Sequence, residues 1–324
     1  MQNKVLSVRE FFDTNAKTLA LEQLNEPLDG SLPITVPDIH RPGLALTGFM
    51  QNYLNERIQI LGETEILYLN ARTKSQRKRD IDNLFSVPLV CIIVTRDLEV
   101  PEELVKAANE HGIPLLGTSM LTTPFIHELT RYLSDYFAPT EVVHGTMVDV
   151  YGVGLLFTGK SGIGKSEIAL DLIERGHRLV ADDSVLVVRK AEDILIGRGH
   201  EHLQHFMEIR GIGIIDIQAK FGIRAIRVQK RLEVAVNLME WDAKKHWERE
   251  GLEERHSTIL GVKIPQVDVP LFPGKNITVI AEVIAMNHMF NVYGYKAADR
   301  FNQLLIDRME SDRRTRHYLR YDTE

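Results

Sequence analysis

The sequence Gly159-Lys160-Ser161-Gly162-Ile163-Gly164-Lys165-Ser166 matches the phosphate-binding pattern G-x-x-x-x-G-K-[ST] at every fixed position. Residues 153–158, just before it, are apolar enough for a buried strand, and residues 167–176, just after it, carry apolar residues at helical spacing. A strand, a glycine-rich turn and a helix N-terminus direct several backbone N–H groups at one anion. The segment therefore predicts a nucleotide- or phosphate-binding loop, with Lys165 at the outer phosphates and Ser166 as a Mg²⁺ ligand.

The composition is that of an ordinary globular protein. The chain has 324 residues, of which 44% are hydrophobic and 26% charged, with a net charge of −6. This charge favours no nucleic-acid partner, and no apolar run approaches the roughly 20 residues of a membrane span. The single cysteine, Cys91, cannot form an intrachain disulfide, and the N-terminus lacks the apolar stretch of a signal peptide. We expect a cytoplasmic protein that binds neither membrane nor nucleic acid.

The pattern along the chain predicts two α/β domains. In the first half, short strand-like segments alternate with helical ones, which favours a parallel or mixed sheet. The predicted strands are 58–62, 87–94 and 114–118, and the predicted helices are 101–109 and 123–137. Pro139 cannot continue the helix that precedes it. We therefore predict an N-terminal domain at 1–137 and a C-terminal domain at 138–324.

The second domain is predicted to be richer in strands than a regular alternation of strand and helix. Residues 144–154 alternate and then turn, as in an antiparallel hairpin that leads into the strand before the phosphate loop. Further strands are predicted at 179–188, 212–217, 226–236 and 277–285, and a long charged helix at 297–318.

Two acidic positions are candidates for chemistry near the loop. Asp182 and Asp183 end an apolar segment that lies one helix beyond it. A carboxylate there could hold Mg²⁺ or accept a proton from an attacking hydroxyl. Since adjacent strand residues point to opposite sides, we expect only one of the two to face the phosphates. Glu208 could complete a metal shell, with Arg210 pairing either with it or with a phosphate.

Other candidates are ambiguous when taken alone. His144 stands at the entry to the second domain, Arg249 reads as a solvated helix charge, and Lys275 lies in a rigid loop rich in proline and glycine. The sequence contains no Asn-Lys-x-Asp tetrapeptide of the kind that reads guanine, so ATP is favoured over GTP.

The order and spacing of these segments resemble bacterial HPr kinase/phosphorylase over nearly the whole chain. The Glu-Ile-Arg-Gly block at 208–211, following a phosphate loop, is highly specific to that family, whereas the loop alone is not. The early segment 41–48 also looks like the family's N-terminal domain. The remaining similar segments are His144-Gly145, Gly159 to Ser166, Ala181-Asp182-Asp183, Met207 to Gly213, Val269 to Asn276, and Ala285-Met286-Asn287.

The resemblance implies a bifunctional enzyme. Such an enzyme phosphorylates a serine of the carrier protein HPr with ATP and removes the phosphate by phosphorolysis, using inorganic phosphate and giving pyrophosphate. The family is typically homohexameric, and its C-terminal P-loop kinase domain is related to phosphoenolpyruvate carboxykinase.

The resemblance also assigns roles to residues. Gly159 to Ser166 would bind nucleotide, with Lys165 acting on the β- and γ-phosphates, while Ser166 and Glu208 match the magnesium ligands. Asp183 matches the proton acceptor, and His144 and Arg249 match further active-site groups. Residues 207–216 match a segment used in both directions, and 270–275 one used in dephosphorylation. In that last segment Phe272 replaces an arginine that the family usually carries, while Lys275 keeps a positive charge.

Two other functions remain open at this stage. One is a small-molecule kinase or carboxykinase-like enzyme on a similar core, which would turn over a metabolite without a protein acceptor. The other is a nucleotide-sensing module without catalysis, which would keep the loop but need no Asp183.

Overall fold

A computed structural model of the chain describes residues 4–26, 32–200, 205–241, 255–272, 274–295 and 297–319. The chain divides into two compact units, Met1–Ala138 and Pro139–Glu324. The sequence-based prediction of an α/β fold is confirmed, because both units contain helices packed on sheets with parallel strands. Within the described residues, no helix has the length and apolar character needed to cross a membrane.

The first unit is built on a mixed five-stranded sheet of order β2-β7-β6-β5-β4, in which β4 to β7 are parallel and β2 is antiparallel to β7. The strands are β1 Leu6–Ser7, β2 Leu21–Gln23, β3 Pro33–Ile34, β4 Ile39–His40, β5 Ile58–Leu61, β6 Ile92–Thr95 and β7 Leu115–Thr118. The helices are α1 Val8–Asn15, α2 Gly43–Leu46, α3 Glu63–Asn70, α4 Lys74–Leu84, α5 Glu102–Glu110 and α6 Thr122–Phe137.

Alternation along the strands produces two apolar layers in this unit. Ile92 and Val94 of β6 lie in the layer that contains residues of α3, α4 and α5, while Ile93 lies in the layer that contains residues of α1 and α6. Because a strand buried on both faces must be apolar at every position, it reads as a continuous hydrophobic run.

The second unit contains two larger sheets and a hairpin. Its strands are β8 Thr140–His144, β9 Thr146–Val150, β10 Val153–Thr158, β11 Arg178–Ala181, β12 Ser184–Ala191, β13 Ile194–Arg198, β14 Phe206–Ile209, β15 Gly213–Asp216, β16 Gln229–Arg231, β17 Val234–Glu240, β18 Arg255–Ile259 and β19 Val262–Leu271. Its α-helices are α7 Lys165–Glu174, α8 Ile217–Phe221, α9 Ile277–Val292 and α10 Ala297–Leu319, with a short 3₁₀ helix at Ile223–Ala225.

The six-stranded sheet of this unit positions the phosphate loop. Its order is β11-β9-β10-β17-β19-β18, and β10, β17 and β19 run parallel. Leu155 and Phe157 of β10 pack with residues of α7 and α9, whereas Leu156 packs on the opposite face with residues of β12 and β19. The carboxyl ends of the three parallel strands therefore share one edge, and the loop 159–164 leaves β10 at that edge.

The predicted hairpin at 144–154 is confirmed, since β9 pairs antiparallel with β10. The prediction of a strand at 277–285 is wrong, because these residues begin helix α9. The Asn276 side chain accepts a hydrogen bond from the Val279 N–H at 3.2 Å and so caps the helix. The segment is rich in β-branched and apolar residues, and a short apolar run of this kind does not distinguish a buried strand from a buried helix.

The single strand predicted at 179–188 is two strands in different sheets. β11 belongs to the six-stranded sheet, and β12 belongs to the four-stranded sheet of order β16-β13-β12-β8. The chain changes sheet at Asp182 and Asp183, and Asp183 has a left-handed backbone with φ of 61°. Aspartate tolerates this conformation better than most residues, so the acidic pair forms the turn between the two strands.

Candidate active site

The phosphate loop lies where the sequence predicts it, between β10 and α7. Gly159, Gly162 and Gly164 all have positive φ, and Gly164 is the N-cap of α7. These glycines allow the loop backbone to fold back toward the helix N-terminus. The loop can therefore direct backbone N–H groups and the positive end of the α7 dipole at one anion.

Lys165 lies within the loop rather than in solvent. It is buried, and its Nζ donates hydrogen bonds to the Gly159 carbonyl at 3.2 Å and to the Lys160 carbonyl at 3.1 Å. Its ammonium group is thus held against the same backbone that would surround a phosphate, which suits a side chain that contacts the outer phosphates.

Asp182 is the acid that faces the loop. The Ser166 hydroxyl lies 2.9 and 3.0 Å from its two carboxylate oxygens, and the Thr146 hydroxyl donates to Oδ1 at 2.6 Å. The Glu208 backbone N–H donates to Oδ2 at 3.4 Å. Three separate segments of the chain therefore converge on one carboxylate next to the α7 N-terminus.

Burial raises the pKa of Asp182 and outweighs the hydrogen bonds from Thr146, Ser166 and the Glu208 backbone, which favour the charged form. A carboxylate that is desolvated in this way gains from a nearby cation, because the cation stabilises its charged form.

Asp183 points to a different partner. Its carboxylate Oδ1 lies 3.3 Å from Nδ1 of His144, and both side chains are largely exposed. The backbone carbonyl of Asp183 accepts from the Gly145 N–H at 3.1 Å. The expectation that only one of the two acids faces the loop agrees with this arrangement. The side chains of Asp182 and Asp183 diverge because the two residues occupy a turn, however, and not because residues alternate along a strand.

Arg210 packs against the phosphate loop. Its Nη2 donates to the Ser161 hydroxyl at 3.5 Å, and a Cβ atom placed on Gly162 would overlap the guanidinium group. Glycine at 162 suits the φ of 76°, and a side chain there would require the Arg210 guanidinium to move away from the loop. The sequence suggested a phosphate or Glu208 as the partner of Arg210, and its contact with the loop was not predicted.

The donor set fits a magnesium ion bound together with nucleotide. Ser166 and Asp182 offer hydroxyl and carboxylate oxygens, the hard donors that Mg²⁺ prefers. Glu208 lies beside them on β14, with Met207 and Ile209 buried and its own side chain exposed. Across the described parts of the chain, no group of three His, Cys, Asp or Glu side chains could enclose a metal. Mg²⁺ needs no such cage, because it usually takes one or two carboxylates plus substrate phosphates.

Two other predicted groups have different outcomes. Arg249 lies outside the described residues. Lys275 follows the carboxyl end of β19, and its Nζ lies 4.9 Å from the centre of the Phe272 ring. The sequence did not settle the contacts that Asp182 and Arg210 make with the loop. The signal for Asp182 was the Asp182-Asp183 pair, and the signal for Arg210 was the Glu-Ile-Arg-Gly block.

Comparison with known proteins gives matches along most of the chain. Residues 6–133 match the family described as HPr Serine kinase N terminus, and residues 135–305 match the HPr Serine kinase C-terminal domain. The HPr kinase/phosphorylase of Chloroherpeton thalassium is 49% identical over 94% of this chain and 90% of its own length. That of Alkaliphilus metalliredigens is 44% identical over 91% of this chain and 95% of its own length.

One solved structure is also similar, the Hpr(Ser) kinase/phosphatase from Coxiella burnetii. It is 32% identical to this chain with a TM-score of 0.45, and the match covers 50% of this chain and 98% of that one. The two family matches together span both units, and the relatives match over nearly their full length. The chain therefore belongs to the HPr kinase/phosphorylase family.

Proposed function

We propose that this protein phosphorylates a serine of the phosphocarrier protein HPr with ATP, and that it removes the same phosphate by phosphorolysis, releasing pyrophosphate. Family membership supports the choice of HPr as the acceptor. The observation that carries the chemistry is the divergence of two adjacent acids: the Asp182 carboxylate contacts Ser166 beside the loop, whereas the exposed Asp183 carboxylate contacts His144.

In the kinase direction, the loop 159–166 holds the β- and γ-phosphates of ATP on its backbone N–H groups, and Lys165 neutralises their charge. The serine hydroxyl of HPr approaches the γ-phosphorus, and Asp183 accepts its proton while His144 holds the Asp183 carboxylate in place. The new bond joins the serine oxygen to the γ-phosphorus, and the bond from that phosphorus to the β-phosphate oxygen breaks. Most of the rate gain comes from alignment and charge neutralisation.

In the phosphorolytic direction, inorganic phosphate occupies the position that the outer phosphates of ATP take in the forward reaction. A phosphate oxygen attacks the phosphorus of phosphoserine, the P–O–P bond of pyrophosphate forms, and Asp183 returns a proton to the departing serine oxygen. Because an anion attacks an anionic ester, this direction needs dense positive charge. Lys165, Lys275 and Arg249 are the proposed sources.

We propose Ser166 and Glu208 as the magnesium ligands, with Asp182 beside them. Bound Mg²⁺ would supply charge neutralisation of the phosphates. The role of Asp182 is to hold the Ser166 hydroxyl in position, since both its carboxylate oxygens lie within 3.0 Å of that hydroxyl.

We further propose that the protein is a cytoplasmic homohexamer. The family resemblance suggests the assembly, and exposed apolar side chains on α10, including Phe301, Leu304 and Met309, support a contact surface. Analytical ultracentrifugation should give a mass six times that of the 36.9-kDa chain. A monomer at micromolar concentration would contradict the proposal.

The catalytic proposal is tested with γ-labelled ATP, Mg²⁺ and HPr, followed by addition of inorganic phosphate. Asp183→Asn should lower both directions by about 100-fold or more, the range expected for loss of general acid–base catalysis, while ADP affinity stays within about twofold because this acid does not touch the loop. Asp193→Asn, an exposed acid in the turn between β12 and β13, is the matched control and should behave as wild type.

The same assay separates the alternative functions. Label on HPr, lost when its target serine is replaced by alanine, supports the kinase. Label on a metabolite with none on HPr would favour a small-molecule kinase, and nucleotide binding without any transfer would leave only a sensor. Full turnover by Asp183→Asn would refute the proton role.

A further inference from the structure

Two aromatic side chains extend past the ends of the parallel strands next to the phosphate loop. Trp241 follows β17 and Phe272 follows β19, and the backbone N–H of Trp241 donates to the Leu271 backbone carbonyl at 3.1 Å. Their ring centres are 5.0 Å apart with a 59° tilt. The two residues are 47% and 39% exposed, so each ring keeps a substantial solvent-facing surface.

The same edge of the sheet carries the phosphate loop. β10, β17 and β19 are consecutive parallel neighbours. Two strand spacings separate the first from the last, which amounts to about 10 Å. This is comparable with the separation between the base of a nucleoside diphosphate and its β-phosphate. A ligand whose phosphates occupy the loop therefore has the reach to place its base at the ends of β17 and β19.

Direct contacts fix the loop against β17. A Cβ on Gly159 would lie only 2.6 Å from the Leu238 carbonyl oxygen, so the loop backbone packs on this strand. Lys160 Nζ lies 3.4 Å from the Glu240 carboxylate, and Trp241 is the next residue. The packing of the loop backbone on Leu238 thus sets the position of the loop relative to Trp241, three residues further along the chain.

The charge around the pair matches a ligand with a flat ring and an anionic tail. Lys275 Nζ lies 4.9 Å from the centre of the Phe272 ring, and Lys160 lies on the loop side. Aromatic faces stack on nucleobases irrespective of base identity, and lysine ammonium groups attract phosphate.

We propose that Trp241 and Phe272 form the platform on which the base of the bound nucleotide stacks while its phosphates occupy 159–166. This inference rests on the proposed function, because it requires a nucleotide in the loop. It adds a base-binding subsite to a site otherwise defined by phosphate contacts. Because stacking involves no hydrogen bonds to the edge of the base, we expect ADP and GDP to bind with affinities within about tenfold of each other.

Trp241 provides its own spectroscopic probe. The chain has two tryptophans, so Trp247→Phe leaves Trp241 as the single reporter. This variant is titrated with Mg·ADP and, separately, with Mg·tripolyphosphate, which has the phosphates but no base. ADP should change the indole emission through stacking, and tripolyphosphate should bind with little change in emission.

The affinity test uses Trp241→Leu and Phe272→Leu, which keep an apolar side chain but remove the ring. Calorimetric titration of full-length protein should show ADP binding weakened by about tenfold and tripolyphosphate binding unchanged. Trp241→Phe, which restores a ring, should recover most of the loss.

The outcomes separate the inference from the proposed function. ADP binding equally tight in wild type and Trp241→Leu, or equal losses for ADP and tripolyphosphate, would overturn the platform and leave the kinase proposal intact. A raised KM for HPr with unchanged ADP affinity would also overturn it and assign the rings to the protein acceptor. Wild-type protein that binds neither ADP nor tripolyphosphate would contradict the proposed function itself.

Discussion

Glu282 connects the phosphate-loop helix to α9. Arg175, directly after α7, donates to the two Glu282 oxygens at 2.8 and 2.7 Å. Nε2 of His177 lies 3.1 Å from Oε1, and the Tyr151 hydroxyl donates to the same oxygen at 3.3 Å. Glu282→Gln removes the charge while keeping nearly the same volume, so the loss of stability should report this cluster and not a cavity.

The expected cost follows from the burial of the partners. The Glu282 side chain is only 8% exposed, whereas Arg175 is 45% exposed. Removing one partner of a fully buried pair costs about 3–5 kcal/mol. Because water can solvate the remaining guanidinium, we expect about 2–3 kcal/mol here. For a unit of this size, that corresponds to a fall in Tm of about 5–10 °C.

Scanning calorimetry of the full chain measures this change. The transition of the second unit is the one that Mg·ADP raises, since a ligand stabilises the folded state it binds. Glu240→Gln is the matched control because it breaks an exposed ion pair with Lys160 in the same unit. Such a pair contributes about 0–1 kcal/mol. Equal shifts in Tm for Glu282→Gln and the control would refute the reasoning.

One further prediction concerns the pH dependence of the Glu282 cluster, and two concern other residues. Hydrogen bonds from Arg175 and His177 lower the pKa of Glu282 from 4.5 to about 2. The stability that the Glu282 carboxylate contributes to the folded protein should therefore be complete above pH 4.5 and disappear as pH falls toward 2. The difference in urea unfolding free energy between wild type and Glu282→Gln measures this contribution. Gly162→Ala should weaken ADP binding by at least about tenfold in an equilibrium titration, because it adds left-handed strain of about 1–2 kcal/mol and displaces Arg210. Gly211 also has positive φ but has open space around it, so Gly211→Ala should change the affinity less than about threefold. Similar losses of affinity for both variants would contradict the Arg210 contact. Tyr53→Phe should leave the unfolding free energy unchanged or raise it by about 1 kcal/mol, because the buried hydroxyl has no hydrogen-bond partner among the described residues, and a clear loss in chemical denaturation would contradict this.

The local elements around the phosphate loop could be predicted because consecutive residues specify them. The apolar run 153–158 and the helical spacing after Gly164 correspond to β10 and α7. The strand prediction that relied on residue composition instead of periodicity was wrong. Residues 277–285 are mostly apolar or β-branched, yet Asn276 caps a helix there. The change from one sheet to another at Asp182 was also not predicted. Apolar residues lie on both sides of Asp182, so the sequence reads as one strand although each side joins a different sheet.

The contacts that complete the site were less predictable, because they join residues distant in sequence. Thr146 reaches Asp182 across 36 positions, and Arg210 reaches Ser161 across 49. No periodicity in a single sequence encodes such pairs, since they depend on how β9, α7 and β14 pack. The resemblance to HPr kinase/phosphorylase supplied roles for His144, Asp183 and Glu208, which remain predictions.

The central claim is that a single phosphate cradle serves both ATP and inorganic phosphate. The most direct test uses HPr carrying phosphoserine, inorganic phosphate at varied concentration and a non-hydrolysable ATP analogue, with pyrophosphate as the measured product. We predict stoichiometric pyrophosphate for each phosphate removed, with the analogue raising the KM for phosphate and leaving kcat unchanged. Release of inorganic phosphate without pyrophosphate, or inhibition that lowers kcat without raising that KM, would contradict the account.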